Sequence, residues 1–141
     1  MLILLSPDIC RHIIISQDET VLNVLEAWSE AGDEILLSAI TYAELVAGAL
    51  QTADKAKHMR LVKAFCERLD GIVPWDEKAV DMYTQIQMQG LDRGHIINMN
   101  NAMLAAHALC LEARLLCLNR ANFKDVERLK LLELEEARPS D

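Results

Sequence analysis

The residues able to do chemistry in this chain follow its short apolar runs. After Leu2–Leu5 come Ser6, Pro7 and Asp8; after Ile35–Leu37 come Ser38, Thr41 and Glu44; after Leu115–Leu118 come Asn119, Arg120 and Asn122. Asn101 opens a segment in which Leu104, Ala105 and Ala108 recur at helical spacing, so its side chain is expected to share their face. Oxygen ligands drawn from separate segments suit a hard divalent cation, provided that they carry enough negative charge. Here Glu44 is the one carboxylate among the four converging positions, the others being Ser6, Asn101 and Asn122. Asp8 lies two residues past Ser6, but Pro7 marks the end of the strand, and Asp8 before Ile9 is placed to cap the next helix.

Other chemistries lack their residues. No G-x-G-x-x-G or G-x-x-x-x-G-K-[ST] follows an apolar run, and no G-x-S-x-G elbow occurs, which leaves dinucleotide, P-loop and serine-hydrolase readings without support. Ser6, Pro7 and Asp8 match poorly the acidic pair that a receiver domain places after its first strand. His12, His58, His95 and His107 are scattered and build no zinc pattern; His107 sits among Met103 and Leu104 on an apolar stretch and reads as a satisfied core or boundary histidine. Cys10, Cys66, Cys110 and Cys117 lack C-x-x-C spacing and read as reduced core thiols. Asp92, Asp125 and Glu127 lie in polar stretches and read as solvated surface charges.

The elements that must position these groups alternate. Apolar runs at Leu2–Leu5, Ile35–Leu37, Ile72–Val73, Leu115–Leu118 and Leu131–Leu134 are strand candidates. Between them Val21, Leu25 and Trp28 recur at helical spacing, as do Ala43, Val46, Ala47 and Leu50, then Leu61, Phe65 and Leu69. The alternation predicts one α/β domain with a mostly parallel sheet covered on both faces, whose sites lie at the carboxyl ends of the strands. The chain's 141 residues suit one domain, expected over 1–135, and 136–141, charged and containing Pro139, is expected to be a flexible tail. With 52% apolar residues and only 4% aromatic, the core must be built from Leu, Ile, Val, Ala and Met, which excludes a mainly disordered chain and disfavours a β-sandwich. Lys plus Arg number 14 and Asp plus Glu 22, so the net charge of −8 repels phosphate backbones except through a local basic patch or bound cation. The first apolar run is far shorter than a membrane span and lacks a basic leader, so a cytoplasmic protein is expected.

Four segments carry a family resemblance. Leu4-Leu5-Ser6-Pro7-Asp8-Ile9-Cys10 resembles L-L-D-T-N-[IV], the end of the first strand in PIN-domain ribonucleases. The stretch from Leu37 to Ala49, through Ser38, Ile40, Thr41, Ala43, Glu44, Leu45 and Gly48, is similar to their S-x-I-T-x-A-E-L-x-x-G. Gly94 to Leu109, with Asn100, Asn101, Leu104, Ala105, Ala106, His107 and Ala108, is similar to G-x-x-I-x-x-N-D-x-x-I-A-A-H-A-L. Leu115 to Phe123 resembles L-[VI]-T-x-N-x-x-[DE]-F. In order and spacing the chain resembles the VapC-type toxins of toxin–antitoxin pairs.

The resemblance implies a PIN-like three-layer α/β fold, with a central sheet of about five strands flanked by helices. It implies that the family's acidic quartet, which holds Mg²⁺ or Mn²⁺ and activates a water to cut RNA, falls on Ser6, Glu44, Asn101 and Asn122, beside Asn119. Three of those acids are absent here, and neutral ligands cannot replace the lost charge. The expectation is therefore a catalytically impaired PIN protein with no firmly bound cofactor, keeping its protein-binding surfaces. The alternative is a weak or reorganised Mg²⁺-dependent ribonuclease using Glu44 and Asp8. Family protomers pair, so a homodimer is expected, with an antitoxin as a further partner, weak RNA binding and no membrane association. An antitoxin groove should be apolar with a basic rim, for which Arg11, Arg93 and Arg120 are the candidates.

Overall fold

The computed structural model describes residues 1–134. The expected tail at 136–141, and the boundary set for it, lie outside the described residues. Strands β1 (Leu2–Leu5), β2 (Glu34–Ser38), β3 (Gly71–Val73), β4 (Arg114–Leu116) and β5 (Leu131–Leu132) form one sheet in the order β3-β2-β1-β4-β5. Every pairing is parallel, with Ile3 beside both Ile35 and Arg114 in register. The helices are α1 (Pro7–Ser16), α2 (Glu19–Glu30), α3 (Ala39–Leu50), α4 (Lys55–Glu67), α5 (Glu77–Asp92) and α6 (Met99–Leu111), with a 3₁₀ turn at Arg120–Phe123. All five strand candidates fall on observed strands, two of them shorter than their apolar runs: Leu118 and Leu134 lie beyond the last paired residues.

Central β1 shows why an unbroken apolar run becomes a strand here. Ile3 and Leu5 enter one core with Ile9, Ile13, Leu25, Leu37 and Phe65, while Leu4 enters the other with Leu104, Ala105, Ala108 and Leu115. Helices cover both faces, so alternation has no solvent side to mark. The second core is small-residue packing: Ala102, Ala105, Ala106 and Ala108 are fully buried, which lets α6 lie close to the sheet. Methionine contributes less than expected; Met59 and Met82 only flank the cores, and Met88 and Met99 are exposed. Close packing also explains Gly90, where an added Cβ would stand 2.7 Å from the carbonyl oxygen of His95 as the chain doubles back after α5.

Helix α3 corrects one expectation. Its inward residues are Thr41, Leu45 and Ala49, whereas Ala43, Ala47 and Leu50 are exposed and Val46 is half-buried. In a helix as apolar as Ala39–Leu50, spacing alone fits several faces. The face was chosen by Thr41, whose hydroxyl donates to the Leu5 carbonyl (3.3 Å) and ties the helix start to the end of β1.

Candidate functional site

Chain order reverses at β1, which sends β2 and β3 to one side and β4 and β5 to the other. The carboxyl ends of β1 and β4 flank that switch point, where open α/β sheets form their sites. Ser6 leaves β1 there fully buried, its backbone N–H donating to the Leu116 carbonyl at 2.9 Å. Its side chain does not cap α1; its hydroxyl donates a short hydrogen bond to Asp8.

Asp8 behaves differently from the capping residue expected of it. It lies inside the first turn of α1, and its Oδ1 accepts from the Ser6 hydroxyl and from the Ile9 N–H (2.7 Å). Its Oδ2 reaches across the switch point and accepts from the backbone N–H groups of Leu118 (3.2 Å) and Asn119 (3.1 Å). The carboxylate thus fastens the start of α1 to the loop after β4. Asn119 in turn caps the 3₁₀ turn, its Oδ1 accepting from the Ala121 N–H at 3.1 Å, while Asn122 is exposed.

Glu44 lies one turn beyond Thr41 on α3 and faces Arg11 of α1, with Oε2 3.9 Å from Nη1. Asn101 is half-buried in the first turn of α6 rather than at its opening; Asn98 is the cap, and its Oδ1 accepts from the N–H groups of Asn100 (3.0 Å) and Asn101 (3.2 Å). Helix α6 packs against both α3 and the 3₁₀ turn, the elements that carry Glu44 and Asn122. Sequence reasoning missed Asn98, whose signal is an Asn directly before the helical stretch; the ties of Asp8 to Leu118 and Asn119, more than a hundred residues away, leave no such signal.

His107 is 2% exposed and belongs to the scaffold beneath the site. Its Nδ1 pairs with the Ser38 hydroxyl oxygen at 2.8 Å, Ser38 also accepts from the Ile40 N–H (3.1 Å), and Trp75 packs edge-on at 5.7 Å. Burial pulls the imidazole below its ordinary range, opposed by Asp76 and the Pro74 carbonyl, which favour its proton. All four cysteines are free, but only Cys10 and Cys117 are buried, Cys66 and Cys110 being half-buried. Burial, seconded by Asp8, pushes the Cys117 thiol up to about 11, so it stays protonated and unreactive.

The three arginines do not form one rim. Arg11 pairs with Glu44, Arg93 with Glu127, and Arg120 with Glu133 at 3.1 Å. Of these only Arg11 lines the apolar groove of about 180 Å³ between α1, α3 and α4, with Ile14, Ile15, Leu45 and Val62. Arg93 lines a separate polar cleft with His95, Lys124 and Asp125.

A parallel sheet in this order, with a polar end assembled from the first strand, the third helix, the sixth helix and the 3₁₀ turn, defines a PIN-type α/β protein. The PIN domain family pattern matches residues 11–129, and the chain belongs to that family. The match begins after Ser6–Asp8, the segment that departs from the family's L-L-D-T-N. The chain is 28% identical to the ribonuclease VapC2 of Rickettsia felis over 131 residues, 93% of this chain and 96% of that protein. It is 30% identical to the ribonuclease VapC1 of Haemophilus influenzae over 98 residues, 70% of this chain and 72% of that one. The structure of Rickettsia felis VapBC2 bound to a promoter DNA fragment superposes with a TM-score of 0.90 at 27% identity, covering 94% of this chain and 98% of that one. VapBC-1 of nontypeable Haemophilus influenzae shares the fold at a TM-score of 0.83 and 24% identity, covering 96% and 99%.

The donor set does not fit the divalent cation implied by the family. Asp8 has both oxygens engaged by protein donors, Glu44 faces a guanidinium, and Ser6, Asn101 and Asn122 are neutral. Among the described residues no three His, Cys, Asp or Glu side chains are gathered to share an ion. No helix among them is long and apolar enough to cross a membrane.

Proposed function

We propose that this protein is the VapC-like member of a toxin–antitoxin pair, working in the cytoplasm by binding rather than by cutting. The observation that carries this reading is the engagement of its two edge carboxylates: Asp8 by four protein donors and Glu44 by Arg11. A hard cation needs free anionic oxygens, and removing Asp8 from its donors would release the loop after β4. Without a held ion the site has no means of generating hydroxide at neutral pH. What the fold keeps is surface: the groove between α1, α3 and α4, apolar along Ile14, Ile15 and Leu45 and edged by Arg11 and His58, suits the apolar face of an antitoxin segment. Pairing into a homodimer and weak RNA binding complete the proposal.

Calorimetry with Mn²⁺ tests it. No affinity tighter than millimolar is expected; a micromolar site abolished by Glu44→Gln would overturn the reading. One observation favours the second reading, a weak Mg²⁺-dependent ribonuclease using Glu44 and Asp8. The Arg11–Glu44 approach is long at 3.9 Å and its side chains are 53% and 27% exposed, so an ion could compete for Glu44. RNA cleavage that needs Mg²⁺ and disappears in Glu44→Gln would establish that reading instead.

A further inference from the structure

Helix α4 carries a charge pattern that works against its own stability. Lys55, Lys57, Arg60 and Lys63 give residues 55–63 four positive charges and no acid, in a chain of net −8. Asp54 caps the helix, its Oδ1 accepting from the Lys57 N–H at 3.1 Å, but the first turn itself contains no acidic residue and holds Lys55 and Lys57, where the helix dipole favours anions. Lys57, Arg60 and Lys63 follow one another at i+3, where like charges repel. All four are exposed, and none has a carboxylate within ion-pair distance among the described residues. Local rules broken in an exposed helix are expected where a surface has a function.

We infer that the solvent face of α4 is a docking strip for the phosphodiester backbone of a single-stranded nucleic acid. Lys57, Arg60 and Lys63 succeed one another at about 4.5 Å along the helix axis, a row of cations open to solvent. The exposed residues beside the row are Ala56, Ala64 and Glu67, while Met59, Leu61 and Val62 pack toward the core, so the strip offers no apolar anchor of the kind a protein partner needs. Phosphate tracking needs none, because it rests on counterion release. The same helix turns His58 and Val62, on its other side, into the groove that also holds Arg11 and Glu44, so a strand on the strip binds without depending on an ion at the polar end of the sheet. The choice of RNA as the strand rests on the function proposed above; the strip does not, and calorimetry with Mn²⁺ leaves it untouched.

Fluorescence anisotropy of a short labelled oligouridine RNA, titrated with the full chain at several salt concentrations, tests the inference. Three phosphate contacts give a log–log salt slope of about −2. The triple variant Lys57→Gln, Arg60→Gln, Lys63→Gln should lose about tenfold or more in affinity at low salt and most of that slope. It should melt within about 4 °C of the parent, because all three side chains are exposed, so lost binding cannot be laid to unfolding. A DNA oligomer held as well as RNA would support a backbone strip. Unchanged affinity in the triple variant would overturn it, as would a labelled polyglutamate peptide binding as tightly as the RNA through the same three residues.

Discussion

The β1–α1 and β2–α3 junctions are built alike and differ in what their polar groups do. Each runs from a parallel strand through a buried serine into a helix. At the second, Ser38 caps Ile40, holds the His107 ring and stands beside Thr41, which bonds the Leu5 carbonyl. Those contacts bind strand to helix, and the family's pattern survives there almost intact. At the first, Ser6 makes no cap and turns to Asp8, whose carboxylate closes on the loop after β4. Here the chain departs from the family's pattern, and Ser6 and Asp8 bond to each other and to the loop after β4. One junction ties a strand to its own helix and the other ties a helix start to a distant loop, a difference that can be tested by substitution.

The largest effect is expected from returning acids to the first junction. Ser6→Asp with Asn101→Asp and Asn122→Asp places a second carboxylate against Asp8 in a buried position, where like charges disfavour each other's ionisation. In chelator the variant should lose about 4 kcal/mol of stability, concentrated at Ser6, because Asn122 is exposed and an acid at 101 suits the first turn of α6. Added Mn²⁺ should restore much of the loss, since an ion that binds only the folded state stabilises it. Thermal melts of both chains with chelator and with Mn²⁺ decide the matter, and equal metal responses would show that these positions do not converge.

At the second junction His107→Ala should cost about 3 kcal/mol, from the emptied volume under Trp75 and the unpartnered Ser38 hydroxyl. The pH dependence has a fixed sign. Burial lowers the proton affinity of His107 in the folded state, so the unfolded chain takes up the proton first. Its contribution is complete above the ordinary imidazole value of about 6.5 and is lost as pH falls below it. Denaturant midpoints measured from neutral to mildly acidic pH should fall in the parent and fall less in His107→Phe; parallel curves would remove His107 from the account.

The same two junctions explain what the sequence could reveal. The five parallel strands were legible because each is a short apolar run between helical stretches, although Ile72 of β3 is exposed, and His107 because it stood among apolar neighbours. The α3 face was not, since Ala39–Leu50 is apolar nearly all round and a hydrogen bond of Thr41 decided it. Asp8 was misread as a cap because its partners at 118 and 119 are local only after β1 and β4 have paired. The arginine rim failed for a related reason: spacing cannot show that Arg93 and Arg120 already face Glu127 and Glu133.

Asp8→Ala comes next in size. It frees the Ser6 hydroxyl and the Leu118 and Asn119 N–H groups, two of them on an exposed loop that water can reach, so about 2 kcal/mol is expected. Asp8→Asn keeps one acceptor oxygen and should lose about half as much. Amide hydrogen exchange places the effect: protection at Leu118 and Asn119 should fall in Asp8→Ala, while β2 stays as slow as in the parent.

The smallest effect is expected at Arg11, and it divides the two functional readings most cleanly. At 3.9 Å, with both side chains partly exposed, its pairing with Glu44 is worth at most about 0.5 kcal/mol, so Arg11→Gln should melt within a degree or two of the parent. Its consequence for ions is larger in principle, because the guanidinium is the cation facing Glu44. If Arg11 alone kept metal away, Arg11→Gln would gain Mn²⁺ affinity and, with Mg²⁺, cut RNA. If the site lacks charge for the deeper reason that Ser6, Asn101 and Asn122 are neutral and Asp8 is engaged, the variant should bind Mn²⁺ no tighter than the parent. The second result is expected, since one freed carboxylate is too little charge to hold such an ion against its hydration. Micromolar Mn²⁺ binding by Arg11→Gln would transfer the protein to the nuclease reading.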